Sequence, residues 1–280
     1  MIGVIDIGSN SVRLLYNKKK YIQVTQLSEG LLLTNNLQEL PMERTINATF
    51  ELYKYGFELG ATTVLTFATE AVRSAKNSII FVNKLKTLGI NIDIIDSKME
   101  AQIGFLGAYT TGKVGILDIG GASSELIVGD KNNIFYDYSL NYGCVRLKDF
   151  SLEKNKSELF EFIHKKVQNY GAVPPFEKLI GIGGTATSLA AIILELDPYD
   201  PEIVHNSIIT YSQIEKVVIK MYNMTPENRM TIRGIHPKRA LVLPYGGFLL
   251  LSIMSYLKVD KLTISENDNL EGYLKLKGNS

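Results

Sequence analysis

Short apolar runs, broken by glycine and small polar residues, alternate along this chain with longer stretches of helical spacing. Val4-Ile-Asp-Ile7 and Val12-Arg-Leu-Leu15 flank the cluster Gly8-Ser-Asn-Ser11, which predicts strand, tight turn, strand. Gly115 to Gly129 carries the same pattern: an apolar run ends in an aspartate, turns through glycines and leaves as a second apolar run. Third strands are predicted near Tyr21 to Leu27, after the turn Asn17-Lys-Lys-Lys20, and over Ile134 to Leu140. Helical spacing runs from Glu43 to Leu59, where Gly60 stops it, and again from about Leu152 to Tyr170. Further strands are predicted over Thr63 to Phe67, Asn91 to Asp96 and Lys178 to Ile182, with helices beginning after the first and the last. Ala240 to Leu257 has no charge for eighteen residues, but Pro244, Gly246-Gly247, Ser252 and Ser255 interrupt it, so the pattern predicts a buried core helix instead of a membrane span.

The two glycine-centred stretches match at a constant offset of 112 residues: Asp6 falls on Asp118, Gly8 on Gly120, Ser11 on Ser123, and Arg13 on Glu125. A repeat of this kind implies a duplicated α/β fold in which each half contributes one hairpin to a shared cleft. With Ile119 to Ala122 as the turn, Asp118 stands opposite Ser123, Glu125 stands opposite Ile116, and Asp118, Ser123 and Glu125 share one face. The polar stretch Gly107 to Lys113 is the expected boundary, giving domains over 1–111 and 112–280, with the last helix free to pack back on the first. That stretch imitates a P-loop, but Val114 stands where Ser or Thr would hold magnesium, and it precedes a strand instead of following one.

Composition narrows the function. The chain has 280 residues, 45% hydrophobic and 21% charged, as in ordinary globular proteins. Thirty Lys and Arg against 29 Asp and Glu give a net charge of +1, so no global field favours nucleic acid, and any polyanion must be held by a local patch. Cys144 is the only cysteine, and the N-terminus has no basic n-region, which together lead to the expectation of a cytoplasmic protein without membrane association. The three histidines, His164, His205 and His236, lack the spacing of a zinc or histidine-aspartate centre.

Several residues are candidates for anion chemistry. Thr69 is placed to cap a helix with Arg73 one turn in, near the positive end of the dipole; a surface arginine is the other reading. Ser97-Lys-Met-Glu100 has capping-box spacing, and a glutamate at a strand-to-helix junction also lies where α/β proteins place ligands. Gly183-Gly-Thr-Ala186 between a strand and a helix has the general form of a phosphate or nucleotide cradle. Arg233, His236, Lys238 and Arg239 form a cationic loop that reads equally as an anion patch or a solvated bend.

These motifs, taken in order, resemble the exopolyphosphatase/guanosine pentaphosphate phosphohydrolase family, Ppx/GppA, of the actin and sugar-kinase superfamily. The resemblance rests on Asp6-Ile-Gly-Ser-Asn-Ser11, Ala68-Thr-Glu-Ala-Val-Arg73, Glu100, Asp118-Ile-Gly-Gly-Ala-Ser-Ser-Glu125, Tyr142-Gly-Cys-Val-Arg146, Gly183-Gly-Thr-Ala186 and Arg233-Gly-Ile-His-Pro-Lys-Arg-Ala240, and so covers nearly the whole chain. It implies two actin-like (ribonuclease H-like) domains around a central cleft, and hydrolysis of a terminal phosphoanhydride in polyphosphate or in guanosine penta- or tetraphosphate. By position it implies Glu100 as general base, Arg73 as phosphate-binding arginine, and Asp118 and Glu125 as carboxylates associated with Mg2+. Asp6, Ser9, Asn10, Ser11, Gly120, Gly121 and Ser123 fall on its phosphate loops, and Gly183, Gly184 and Thr185 join them as phosphate-binding candidates.

Three departures qualify the match. Ala122 replaces a third glycine, which strains the loop if that position needs positive φ. Asp268-Asn-Leu-Glu-Gly272 lacks the arginine usual in that motif. The helical histidine-aspartate extension of longer members, expected to guide long polyphosphate, is not matched. A homodimer is admitted by the reading. A sugar kinase or actin-type ATPase, which would need ATP, and a non-catalytic sensor, which would bind without releasing phosphate, are the competing functions.

Overall fold

Both copies of the glycine-centred pattern fold as antiparallel hairpins, each beginning a sheet of its own. The computed structural model describes residues 1–151 and 156–278. In the first sheet, β1 (Ile2–Ile7), β2 (Ser11–Tyr16), β3 (Lys19–Val24), β4 (Thr63–Ala68) and β5 (Asp93–Ile94) lie in the order β3-β2-β1-β4-β5. In the second, β6 (Val114–Ile119), β7 (Ser124–Gly129), β8 (Ile134–Leu140), β9 (Lys178–Ile182), β10 (Ile208–Thr210) and β11 (Lys261–Ile264) lie in the order β10-β11-β9-β6-β7-β8. Each hairpin is antiparallel to its third strand and each first strand is parallel to the next along, β1 with β4 and β6 with β9. Three antiparallel strands followed by two parallel ones, found in both sheets, is the actin-like (ribonuclease H-like) arrangement; the second sheet adds β10 antiparallel to β11 at its edge.

The chain divides into two units, Met1–Gly107 with Asn269–Ser280 and Ala108–Asp268. The junction follows Gly107 instead of the expected residue 111, and the last helix, which the sequence allowed to pack back, belongs with the first unit. That helix, Asn269–Lys277, buries Leu270 and Tyr273 among Val4, Leu15, Phe67, Ile95 and Ile103, with the Tyr273 ring stacked on Phe67 at 4.5 Å between centroids. Gly272 lies so close to the Ile103 carbonyl of the helix Ser97–Ala108 that a methyl group would overlap it. Apolar burial therefore draws the end of the chain back onto its beginning.

Other elements differ from the pattern in their limits. Asn17 and Lys18 adopt φ of 46° and 64°, so the turn into β3 takes only these two residues and the strand starts earlier than expected. The first long helix, Glu39–Glu58, begins before Glu43, and the strand expected over Asn91 to Asp96 shrinks to two residues. Of the helix expected over Leu152 to Tyr170, Lys156–Val167 is helical with a 3-10 turn to Tyr170, and residues 152–155 lie outside the described residues. A short helix absent from the sequence reading, Cys144–Ser151, follows β8.

The uncharged stretch forms the helix Leu243–Leu257, buried in the core of the second unit against Leu147, Ile163, Leu189, Val218 and their neighbours. Among the described residues, no helix is long and apolar enough to cross a membrane. Replacement of Gly272 by alanine should destabilise the protein by about 1–3 kcal/mol, since overpacking forces helices apart. Chemical denaturation measures this, and an unchanged midpoint would mean that the terminal helix is not held against the first sheet.

Candidate active site

In the first hairpin Gly8 N–H donates to the Ser11 carbonyl, and in the second Gly120 N–H donates to the Ser123 carbonyl, both at 3.0 Å. The loop of the second hairpin is thus Gly120 to Ser123, one residue later than predicted, and Asp118 pairs with Glu125 instead of Ser123. The glycine amide closes the turn on its own strand, which sets that register. Neither Gly120, Gly121 nor Ala122 has positive φ, so the alanine that replaces a glycine sits without strain.

The segments behind each turn then orient its peptides. Ser28 N–H donates to the Ser9 carbonyl, and the amides of Thr25 and Gln26 both donate to the Asn10 carbonyl, at 2.9–3.0 Å. In the second unit Cys144 N–H donates to the Gly120 carbonyl at 2.9 Å, while the amides of Val145 and Arg146 donate to the Gly121 carbonyl at 2.9 and 3.1 Å. These are the first amides of the helix Cys144–Ser151, whose N-terminus is capped by backbone oxygen. Gly143 permits the approach, because a Cβ there would overlap Gly120 and Gly121. The N–H groups of Ser9, Asn10, Gly121 and Ala122 have no hydrogen-bond partner among the described residues, and those of Asn10, Gly121 and Ala122 share peptide planes with the held oxygens. Ser9, Ser11 and Ser123 are buried beside them. Backbone amides arrayed on successive residues form an anion-binding nest.

The two hairpins differ in the side chains at the next pair of positions. Asp6 and Arg13 are opposite in register and form an ion pair in the first. Asp118 and Glu125 occupy the equivalent places in the second, with Glu125 buried and accepting a hydrogen bond from Ser139 at 2.7 Å. Like charges directly across a ladder repel, and a bound cation would relieve that repulsion. No group of three or more His, Cys, Asp or Glu suited to a metal occurs among the described residues. Mg2+ nevertheless fits, because it usually takes one or two protein carboxylates and completes its shell with water and substrate phosphate.

Beside this pair, the helix Gly183–Ile193 starts directly at the end of β9, with the glycines inside its first turn instead of before it. Gly183, at φ 73°, lies against the Asp118 carboxylate, which any Cβ would displace. The Arg239 guanidinium covers Gly184 and donates to the Ser188 hydroxyl at 3.3 Å. Thr185 gives its hydroxyl proton to the Ile119 carbonyl at 2.7 Å, so it braces β6 and has no proton left for a phosphate. Within the cationic loop, Arg233 is exposed and 3.6 Å from Asp197, while the His236 imidazole accepts from Lys238 N–H at 3.2 Å and caps a single turn. Only Arg239 turns toward the glycines.

In the first unit a three-residue charge cluster stands at the ends of β4 and β5. Thr69 precedes the helix Glu70–Ser74 but makes no side-chain cap, and Arg73 lies in its last turn, not near its positive end. Arg73 Nη1 donates at 2.8 Å to both Glu100 and the Ile95 carbonyl, and Nη2 donates to Glu70 at 2.7 Å. Two of its five N–H groups are left without a partner among the described residues. The expected capping box is replaced: Asp96 accepts the Met99 amide at 2.7 Å, the helix begins at Ser97, and Glu100 turns to Arg73 instead of its own backbone.

Glu100 is only 6% exposed. Burial pushes its carboxyl up to about 7, against the pull of Arg73, with Asp6 and Glu70 adding to the rise. Burial works to lower Arg73, but Glu100 and Glu70 outweigh it and hold the guanidinium above its ordinary range. Glu70 was missed in the sequence, although its i,i+3 spacing to Arg73 is the readable signal.

An actin-like fold with amide-lined turns, a paired carboxylate face and a buried carboxylate with a raised pKa defines a phosphate-handling α/β protein. Residues 4–275 match the Ppx/GppA phosphatase family, and the chain belongs to that family. Exopolyphosphatase 2 of Mycobacterium tuberculosis is 26% identical, with 97% of this chain aligned to 96% of that protein. The bifunctional 3-dehydroquinate synthase/phosphatase of Fusobacterium nucleatum is 29% identical over 96% of this chain and 45% of its own length. The guanosine-5'-triphosphate,3'-diphosphate pyrophosphatase of Photobacterium profundum is 28% identical over 97% of this chain and 58% of its own. The chain therefore spans about half the length of these last two relatives. The crystal structure of the Aquifex aeolicus Ppx/GppA family member superposes with a TM-score of 0.78 at 30% identity, covering 100% of this chain and 98% of that one.

A carboxyl raised in the folded state stabilises the protein below its unfolded pKa, and that contribution is lost as pH rises through the folded value of about 7. Glu100→Gln, which cannot ionise, should gain about 1–3 kcal/mol on the parent between pH 5 and pH 8. Denaturation at the two pH values checks this, and a constant difference would mean that Glu100 titrates normally.

Proposed function

We propose that this chain is a hydrolase of phosphoanhydride bonds that releases terminal phosphate from inorganic polyphosphate, from guanosine-5'-triphosphate,3'-diphosphate, or from both. Family membership and the names of the full-length and partial relatives support this reading. The single observation that carries it is the buried Glu100 carboxyl, pushed up to about 7 and held by an arginine with donors to spare. A base of that strength suits proton removal from water near neutral pH.

Glu100 orients the attacking water and takes its proton at a carboxylate oxygen. Arg73, held on one side by Glu70 and Glu100, presents its remaining N–H groups to the phosphoryl oxygens. The amides of Ser9 and Asn10, and those of Gly121 and Ala122, offer fixed donors to phosphate charge and need no reorganisation as it develops. Asp118 and Glu125 would hold Mg2+, which supplies charge neutralisation at phosphate oxygens. Gly183 and Gly184 leave room for Asp118 and Arg239, which a Cβ at either position would displace. The lone Cys144 is buried, which agrees with a reducing cytoplasm as its location.

Loss of general-base assistance slows turnover by about 10²- to 10⁴-fold, and Glu100→Gln should show a loss of that size with its fold intact. Phosphate release measured on polyphosphate and on the guanosine substrate tests this; near-parental turnover would remove Glu100 from the mechanism. The parental rate should fall on the acid side with a midpoint near the carboxyl value of about 7. EDTA should abolish release and magnesium restore it, whereas full activity without divalent cation would remove the role given to Asp118 and Glu125.

A further inference from the structure

The arginine and the base are accompanied by a third charged side chain that the proposed chemistry does not use. Glu70 opens the helix Glu70–Ser74, is 6% exposed, and receives the Nη2 proton of Arg73 at 2.7 Å. A carboxylate is not buried at a strand-to-helix junction for packing alone, since its desolvation is unfavourable unless paired. Here one guanidinium is divided between two buried carboxylates, Nη1 serving Glu100 and Nη2 serving Glu70.

We propose that Glu70 is a positioning residue for the Arg73–Glu100 pair, fixing the guanidinium fork while its own charge keeps Glu100 from being held too tightly as a carboxylate. This rests on the reading of Glu100 as the base. Geometry provides the first half: with Nη2 tied to Glu70 and Nη1 shared between Glu100 and the Ile95 carbonyl, the fork has one orientation. Charge provides the second. The groups facing Glu100 are Arg73 and Glu70 from the short helix and Asp6 from β1, itself paired with Arg13 of β2. The terminal helix meets the helix of Glu100 through uncharged Gly272. Arg73 favours the ionised form of Glu100, while Glu70 and Asp6 oppose it. Of these two, only Glu70 also bonds to Arg73, so it dilutes the guanidinium as well as repelling Glu100.

The test is the titration of Glu100 itself, followed by carbon NMR of glutamate labelled at the side-chain carboxyl and assigned with Glu100→Gln. In Glu70→Gln, and equally in Glu70→Ala should the first variant fold poorly, the Glu100 midpoint should fall by about half a pH unit or more. The acid limb of kcat/KM for phosphate release should move down with it. Glu70→Asp, which keeps the charge, should restore the midpoint toward the parental one. A midpoint unmoved in Glu70→Gln or Glu70→Ala, or lowered as far in Glu70→Asp, overturns the proposal. A limb that stays while the midpoint falls breaks the link to the base and overturns it as well. Parental protein that releases no phosphate at all defeats the proposed function instead, and the NMR titration still decides the role of Glu70.

Discussion

Everything at the candidate site depends on where the peptide oxygens of the two turns are held. A backbone amide faces away from its neighbouring carbonyl across the peptide plane, so fixing the oxygen fixes the direction of the N–H. In the first unit the Ser9 oxygen, held by Ser28, sets the amide of Asn10, and in the second the oxygens of Gly120 and Gly121, held by Cys144, Val145 and Arg146, set the amides of Gly121 and Ala122. The partners are unrelated, one set from a loop after a strand and the other from a helix N-terminus, yet each leaves adjacent amides bare. The duplicated hairpins thus share a device that their flanking segments supply by different means.

Side-chain chemistry then differentiates the two copies. Arg13 stands against Asp6 as an ion pair in one, whereas Glu125 stands against Asp118 in the other, from a single change at equivalent positions. The first unit places its own pair near Glu100, since Asp6 raises that carboxyl and is itself held by Arg13. The second sets two carboxyl side chains across the ladder at the same place. Burial supplies the rest: a carboxylate screened by water would titrate near its ordinary value, and Glu100 departs from it because almost none of it is exposed.

Much of this was legible in the sequence, and the failures have physical causes. The hairpins, their offset and the residues that line them could be read from glycine spacing and alternation. Their register could not, because whether the turn spans Ile119 to Ala122 or Gly120 to Ser123 is decided by one amide bond, from Gly120 to Ser123. Glu100 was read both as a capping-box glutamate and, from the resemblance, as a general base; Asp96, one residue ahead of Ser97, takes the Met99 amide and frees Glu100 for Arg73. The helix Cys144–Ser151 was missed because its N-terminus is capped by turn carbonyls more than twenty residues earlier in the chain, a contact with no local signature. That Gly183 and Gly184 make room for Asp118 and Arg239 has no local signature either, since both partners lie more than fifty residues away in the chain.

The central claim is that the bare amides of the turns are the groups that receive phosphate charge. Amide NMR of the protein titrated with pyrophosphate in the presence of magnesium measures this directly. Ser9 and Asn10 in the first unit, and Gly121 and Ala122 in the second, should move downfield and saturate. Shifts confined to lysine-rich surface segments such as Asn17 to Lys20, with these four amides unmoved, would contradict it.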